Sequence, residues 1–178
     1  MSIKIYYLFS RNDKICSRLI SWASGLIIKD LEKVPSHMAI LLEMEGHLDG
    51  IVFESTLCTG VRILPYRNWL KINEECYKIP CKKKQDTKRI FDLVEEYWGK
   101  KYDWPGIAYF GWRFFLHIVF KLSFPKENAW QSDDKYFCNE LGGKIAEYTR
   151  YSMVTPAKMC YDFLKEQQRY ERFQEQVD

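Results

Sequence analysis

SHMAILLEMEGHLDGIVFEST, residues 36 to 56, reads as two strands joined by a polar turn. The strands are residues 36 to 44 and 50 to 56, on either side of EGHLDG. Their register decides which side chains share a face. A reversal at Glu45-Gly46 sets His37 opposite Glu54 when the pairs are counted outward, and directly opposed side chains lie about 5 Å apart. A reversal at Asp49-Gly50, locally the stronger turn signal, sets His37 opposite Arg62 instead. The residues alone leave both registers open.

Outward from this pair, residues 3 to 9 (IKIYYLF) read as a first strand. Residues 13 to 24 read as a helix with Ile15, Leu19 and Trp22 on one face, stopped by Gly25. A further strand covers Val61 to Leu64 and is broken by Pro65. Tyr66 to Leu70 make a turn of helix, and Cys76 to Ile79 another strand. Residues 85 to 99 form an amphipathic helix carrying Ile90, Leu93, Val94 and Tyr97. Residues 106 to 122 are strongly apolar, 124 to 134 are loop, and 135 to 149 are a helix. Thr155-Pro156 pairs a cap with a first-turn proline and starts a last helix. Strand, helix, several strands and then mostly helices is an α+β order with a small antiparallel sheet. We read residues 1–165 as one domain and 166–178 as a charged tail, frayed or helical.

The chain has 178 residues, with 47% hydrophobic, 29% charged and 16% aromatic content and a formal charge of +3. That composition is globular. The longest basic run, Lys82-Lys83-Lys84, is a short solvated loop and not the concentrated face of a nucleic-acid binder. The six cysteines form no C-x-x-C pair and no zinc spacing, so no metal and no cofactor is expected. The opening MSIKIYYLFSRNDK carries charge where a signal peptide has a long apolar stretch. A cytoplasmic protein with reduced thiols is the expectation.

Among the cysteines, Cys138 stands out in YFCNELGG, residues 136 to 143. It falls in the first turn of its expected helix, after the candidate caps Ser132, Asp133 and Asp134. The partial positive charge of a helix start favours thiolate and oxyanion. Phe137, Leu141, Ile145 and Tyr148 form the stripe of that helix, and Gly142, one turn on from the sulfur, leaves room for a substrate. A thiol nucleophile needs a base, and the chain holds three histidines: His37, His47 and His117. His47 lies in a charged turn and His117 in the apolar segment. His37, at the start of an apolar strand, is the choice. Glu54 is the candidate to orient it in the first register.

SHMAILLEMEG, VFESTLCTGVRILPYRNW, GKKYDW, FCNELGG and TPAKM, in this order, resemble the permuted branch of the NlpC-type papain-like cysteine hydrolases. The YiiX-like and the lecithin retinol acyltransferase-like proteins belong to that branch. The resemblance runs from the first strand to about Lys158, and in it the histidine strand precedes the cysteine helix. It implies a circularly permuted papain-like fold, with a small sheet or half-barrel against helices. It also implies Cys138 as nucleophile, His37 as base and Glu54 as the orienting residue, and it favours the turn at Glu45-Gly46. The implied chemistry is acyl transfer through a thioester. The first expectation is an amidase or peptidase. The alternatives are an acyltransferase, thioesterase or phospholipase acting on lipids, and a non-catalytic module. Tyr7 is an additional candidate oxyanion donor.

The apolar segment GIAYFGWRFFLHIVFKL carries Arg113, His117 and Lys121 every four positions along one helix side. It is too short and too polar to span a bilayer. A buried core helix, a lid, a dimer face and a peripheral membrane contact through 106–122 all remain open.

Overall fold

The computed structural model describes residues 3–44, 49–81, 87–123, 129–130, 135–136, 138–148 and 154–177. Five strands form one antiparallel sheet: β1 (Ile3–Arg11), β2 (His37–Met44), β3 (Ile51–Thr56), β4 (Gly60–Pro65) and β5 (Glu74–Pro80). Their order is β4-β3-β2-β1-β5. The helices are α1 (Ile15–Gly25), α2 (Tyr66–Leu70), α3 (Thr87–Tyr97), α4 (Trp104–Phe120), α5 (Cys138–Ile145) and α6 (Pro156–Val177). The α+β reading therefore holds.

The period of two along each strand divides the sheet into two faces. Ile5, Tyr7 and Phe9 of β1 and Met38, Ile40 and Leu42 of β2 join the larger core, with residues of α3, α5 and α6 over them. Leu8, Ala39, Leu41 and Val52 turn the other way, to a smaller cluster around the fully buried Trp69 of α2. Burying one such aliphatic side chain stabilises by roughly 1.5–3 kcal/mol. Both faces of the central strands are covered, so β2 is nearly all apolar instead of alternating.

β2 and β3 pair as Ile40↔Phe53, Leu41↔Val52 and Leu42↔Ile51. Neither register read from the sequence has these pairs. The observed one is shifted by two residues from the register that opposed His37 to Glu54. A two-residue shift keeps every side chain on its face, so His37 and Glu54 still share one. The Glu45-Gly46 turn itself lies outside the described residues, as do Lys82 to Lys84, Ser132 to Asp134 and Phe137.

The helix expected over 135–149 is shorter and begins at Cys138 itself. Every residue from Cys138 to Gly143 is buried, so this helix is embedded and has no solvent face there. The first turn of α6 is capped as read: Thr155 Oγ1 accepts from the Lys158 N–H at 3.1 Å. The helix runs unbroken through the residues set apart as a tail. The core-helix option for 106–122 fails, because Gly106 is the one buried residue of α4. No described helix is long and apolar enough to cross a membrane.

Candidate active site

Two backbone contacts carry Cys138 to the sheet. The first is a ladder of hydrogen bonds. Gly60 opens β4 with φ +67°, and a Cβ there would lie 2.0 Å from the Lys100 carbonyl oxygen. Only glycine tolerates both the left-handed backbone and that approach. The Val61 N–H donates to Lys100 O at 3.0 Å and the Gly99 N–H to Val61 O at 3.2 Å. The Tyr136 N–H donates to Lys101 O at 3.1 Å. The Ser55 hydroxyl closes the ladder on the Tyr136 carbonyl at 2.5 Å. Cys138 follows two residues on, as the first residue of α5.

The second contact is α5 lying on β2. A Cβ at Gly142 would meet Met38 Sδ at 2.5 Å and Cε at 2.8 Å. Gly142 is therefore filled by Met38 and leaves no space for a substrate, contrary to the sequence reading. Its absent side chain lets the helix approach the strand. Gly142 is one turn after Cys138, and Met38 is one residue after His37. Fixing one pair fixes the other.

The His37 imidazole lies near enough to both Cys138 and Glu54 for each to act on its charge. Its Nε2–H donates to Glu54 Oε2 at 2.7 Å, and the Cys138 thiol donates to Asn139 Oδ1 at 3.7 Å. Glu54 is 1% exposed and is surrounded by donors. Trp69 Nε1–H donates to Oε2 at 2.9 Å. Arg62 Nε–H and Nη2–H donate to Oε1 at 2.8 and 2.5 Å, from the position directly opposite Glu54 on β4. Burial alone would raise the carboxyl pKa, but the bonds and charges of His37 and Arg62 outweigh it and bring it down to about 2. Burial likewise disfavours the imidazolium, yet hydrogen bonds and charge from Cys138 and Glu54 push His37 up to about 10. The site is poised to hold a proton on the ring.

Cys138, His37 and Glu54 all line one cavity of about 340 Å³. Its walls include Lys14, Cys16, Ser17 and Ile20 around α1, the 54–59 segment, Asn73 and Tyr102. Cys138 is only 6% exposed, and what it exposes borders this opening. Burial, then the neighbouring Cys138 and Glu140, hold the Tyr102 hydroxyl protonated well above its usual range. Among the described residues, no three His, Cys, Asp or Glu side chains are gathered as a metal site.

The chain matches no family model and no curated protein.

Three of the five residues singled out in the sequence are thus brought together: Cys138, His37 and Glu54. Gly142 serves packing. Tyr7 lies elsewhere: its hydroxyl sits 3.0 Å from Cys81 Sγ, its ring stacks on Phe163, and it lines a separate cavity. The tyrosine at the candidate site is Tyr102. Sequence reading also missed Arg62, Trp69 and Gly60. Arg62 was within reach, since counting outward from the tight 57–59 turn opposes it to Glu54. Nothing around Trp69 marks it as a partner of a carboxylate.

Proposed function

We propose that the protein is a cysteine-dependent hydrolase on a permuted papain-like fold, acting through Cys138, His37 and Glu54. The observation that carries this is a buried carboxylate bonded to an imidazole that shares the wall of one open cavity with a thiol. Such an arrangement is the general signature of an activated nucleophile. His37 Nδ1 takes the thiol proton, and the sulfur attacks a carbonyl carbon. Charge on the carbonyl oxygen is met by the partial positive charge at the start of α5. Tyr102, kept neutral, supplies an O–H to the same space. The tetrahedral intermediate collapses and its leaving group takes the proton from His37. Water, deprotonated by His37, then opens the thioester. Glu54 holds the Nε2–H throughout and favours the imidazolium, while Trp69 and Arg62 hold Glu54.

An amide or peptide bond is the first substrate class. The second is a lipid acyl ester, favoured by exposed apolar side chains on α1 and α4, both of which adjoin the cavity. An electrophilic acyl probe, followed by peptide mapping, tests the proposal. Labelling is expected at Cys138 and lost in His37→Ala. Equal labelling of all exposed cysteines, with none at Cys138, would leave a non-catalytic module. Cys138→Ser is expected to keep the fold and lose all turnover, as read by circular dichroism and the same probe.

A further inference from the structure

α1 is turned inside out. Its buried residues are Ser17 and Ser24, whereas Ile15, Leu19 and Trp22 are 76%, 58% and 66% exposed. The stripe seen in the sequence is real but faces outward. α4 repeats the pattern. Its exposed positions include Trp104, Ala108, Trp112, Phe115 and Val119, spaced as one helix face with no polar member. A surface helix of a globular protein normally presents the opposite. Arg113 and His117 lie on the other side of α4, bonded to the carbonyls of Ser123 and Leu122.

Both stripes adjoin the candidate site. Lys14, Cys16 and Ile20 of the α1 region line its cavity. Trp104, at the start of α4, packs edge-on against Tyr102 of the same cavity. We propose that these two faces form one docking surface for an anionic bilayer, which presents lipid-borne acyl groups to the cavity. The binding itself is independent of the hydrolase reading; what the bilayer supplies to Cys138 rests on it.

Charge and length choose this occupant. Neither α1 nor α4 contains an acidic residue, and Lys14, Arg18 and Lys121 are exposed beside them. A second copy docked face to face would set these cations against their own images. An anionic headgroup layer neutralises them. α4 has 17 residues, about 25 Å at 1.5 Å per residue. That is short of the roughly 30 Å hydrocarbon core, so the helix lies in the interface. Tryptophans on both stripes suit that depth.

The test uses the full chain with phosphatidylcholine vesicles, with and without phosphatidylserine. Sedimentation with the phosphatidylserine vesicles is expected, weakened by added salt. Trp112→Ser with Phe115→Ser, and separately Leu19→Ser with Trp22→Ser, are each expected to weaken it roughly tenfold or more, since affinity follows the apolar area inserted. Circular dichroism checks that both pairs fold, and Arg18→Glu with Lys121→Glu reads the charge contribution without touching the apolar faces. Cys138→Ala is expected to bind as the parent does, which separates docking from catalysis. A parent that stays in the supernatant with both vesicles overturns the proposal. So does binding that neither apolar pair weakens, or a concentration-dependent dimer that the same substitutions abolish while vesicles go unbound.

Discussion

Replacing Glu54 by Gln changes neither the length nor the shape of the side chain, only what its end can accept. The carboxylate receives four hydrogen bonds, two on each oxygen: His37 and Trp69 on Oε2, Arg62 twice on Oε1. A carboxamide has one NH₂ end, and either orientation points it at donors. Toward His37 and Trp69 it strands the fully buried Trp69 indole, at about 1–3 kcal/mol for an unmet buried donor. Toward Arg62 it breaks an ion pair whose acidic side chain is 0% exposed and whose arginine is 31% exposed. Removing one partner of a buried pair costs about 3–5 kcal/mol, and the partial exposure of Arg62 puts this case at the lower end. A loss of about 2–4 kcal/mol is therefore expected, a large share of the roughly 5–15 kcal/mol that holds a domain. Urea unfolding measures it. The chemistry should move as well. Without the carboxylate, His37 loses part of what lifts it to about 10, so the pH profile of Cys138 alkylation should shift toward neutrality. Acyl-probe labelling should fall less than in His37→Ala, because the proton acceptor remains. Equal unfolding midpoints together with superimposable pH profiles would refute the reasoning.

Gly60→Ala is expected to lose about 1–3 kcal/mol from the left-handed backbone alone. The clash with the Lys100 carbonyl adds to this, so melting temperature and Cys138 labelling should fall together. Gly142→Ala overpacks against Met38 at about 1–3 kcal/mol. Met38→Ala should relieve it, and a double-mutant cycle in urea should show a coupling that favours the pair. The titrations give two pH windows. Glu54 is depressed from 4.5 to about 2, so its stabilisation is complete above 4.5 and drains as pH falls toward 2. His37 is raised from 6.5 to about 10, so its stabilisation is complete below 6.5 and drains as pH rises through 10. Unfolding free energies across both windows should lose these slopes in Glu54→Gln and His37→Ala.

Strand and helix identity were legible wherever the chain kept a clear period, from IKIYYLF to the last helix. Relations between elements were less so. Both registers weighed for β2 and β3 differ from the observed one by an even number of residues, so His37 and Glu54 share a face in each. The shift itself was invisible, since nearly every residue of β2 is apolar and each register buries as much. Tyr7 failed for a related reason. Its strand was right, but its face belongs to the larger core, where it meets Phe163 and Cys81. For α1 the period revealed a stripe and nothing of which way it faces. Gly142 was noticed for its missing side chain, yet the space is taken by Met38, a residue 104 positions earlier that no local pattern connects to it.

The hydrogen-bond ladder from Gly60 through Lys100 and Lys101 to Tyr136 has one more consequence. Thiol and imidazole come from opposite ends of the chain and meet only while three distant segments stay docked. A partial opening that releases the 99–103 segment would separate them without melting the sheet. Reactivity of the sulfur would then be switched off in any incompletely folded or locally frayed form. A chain still emerging from the ribosome would carry a harmless cysteine until its last third had closed over the sheet.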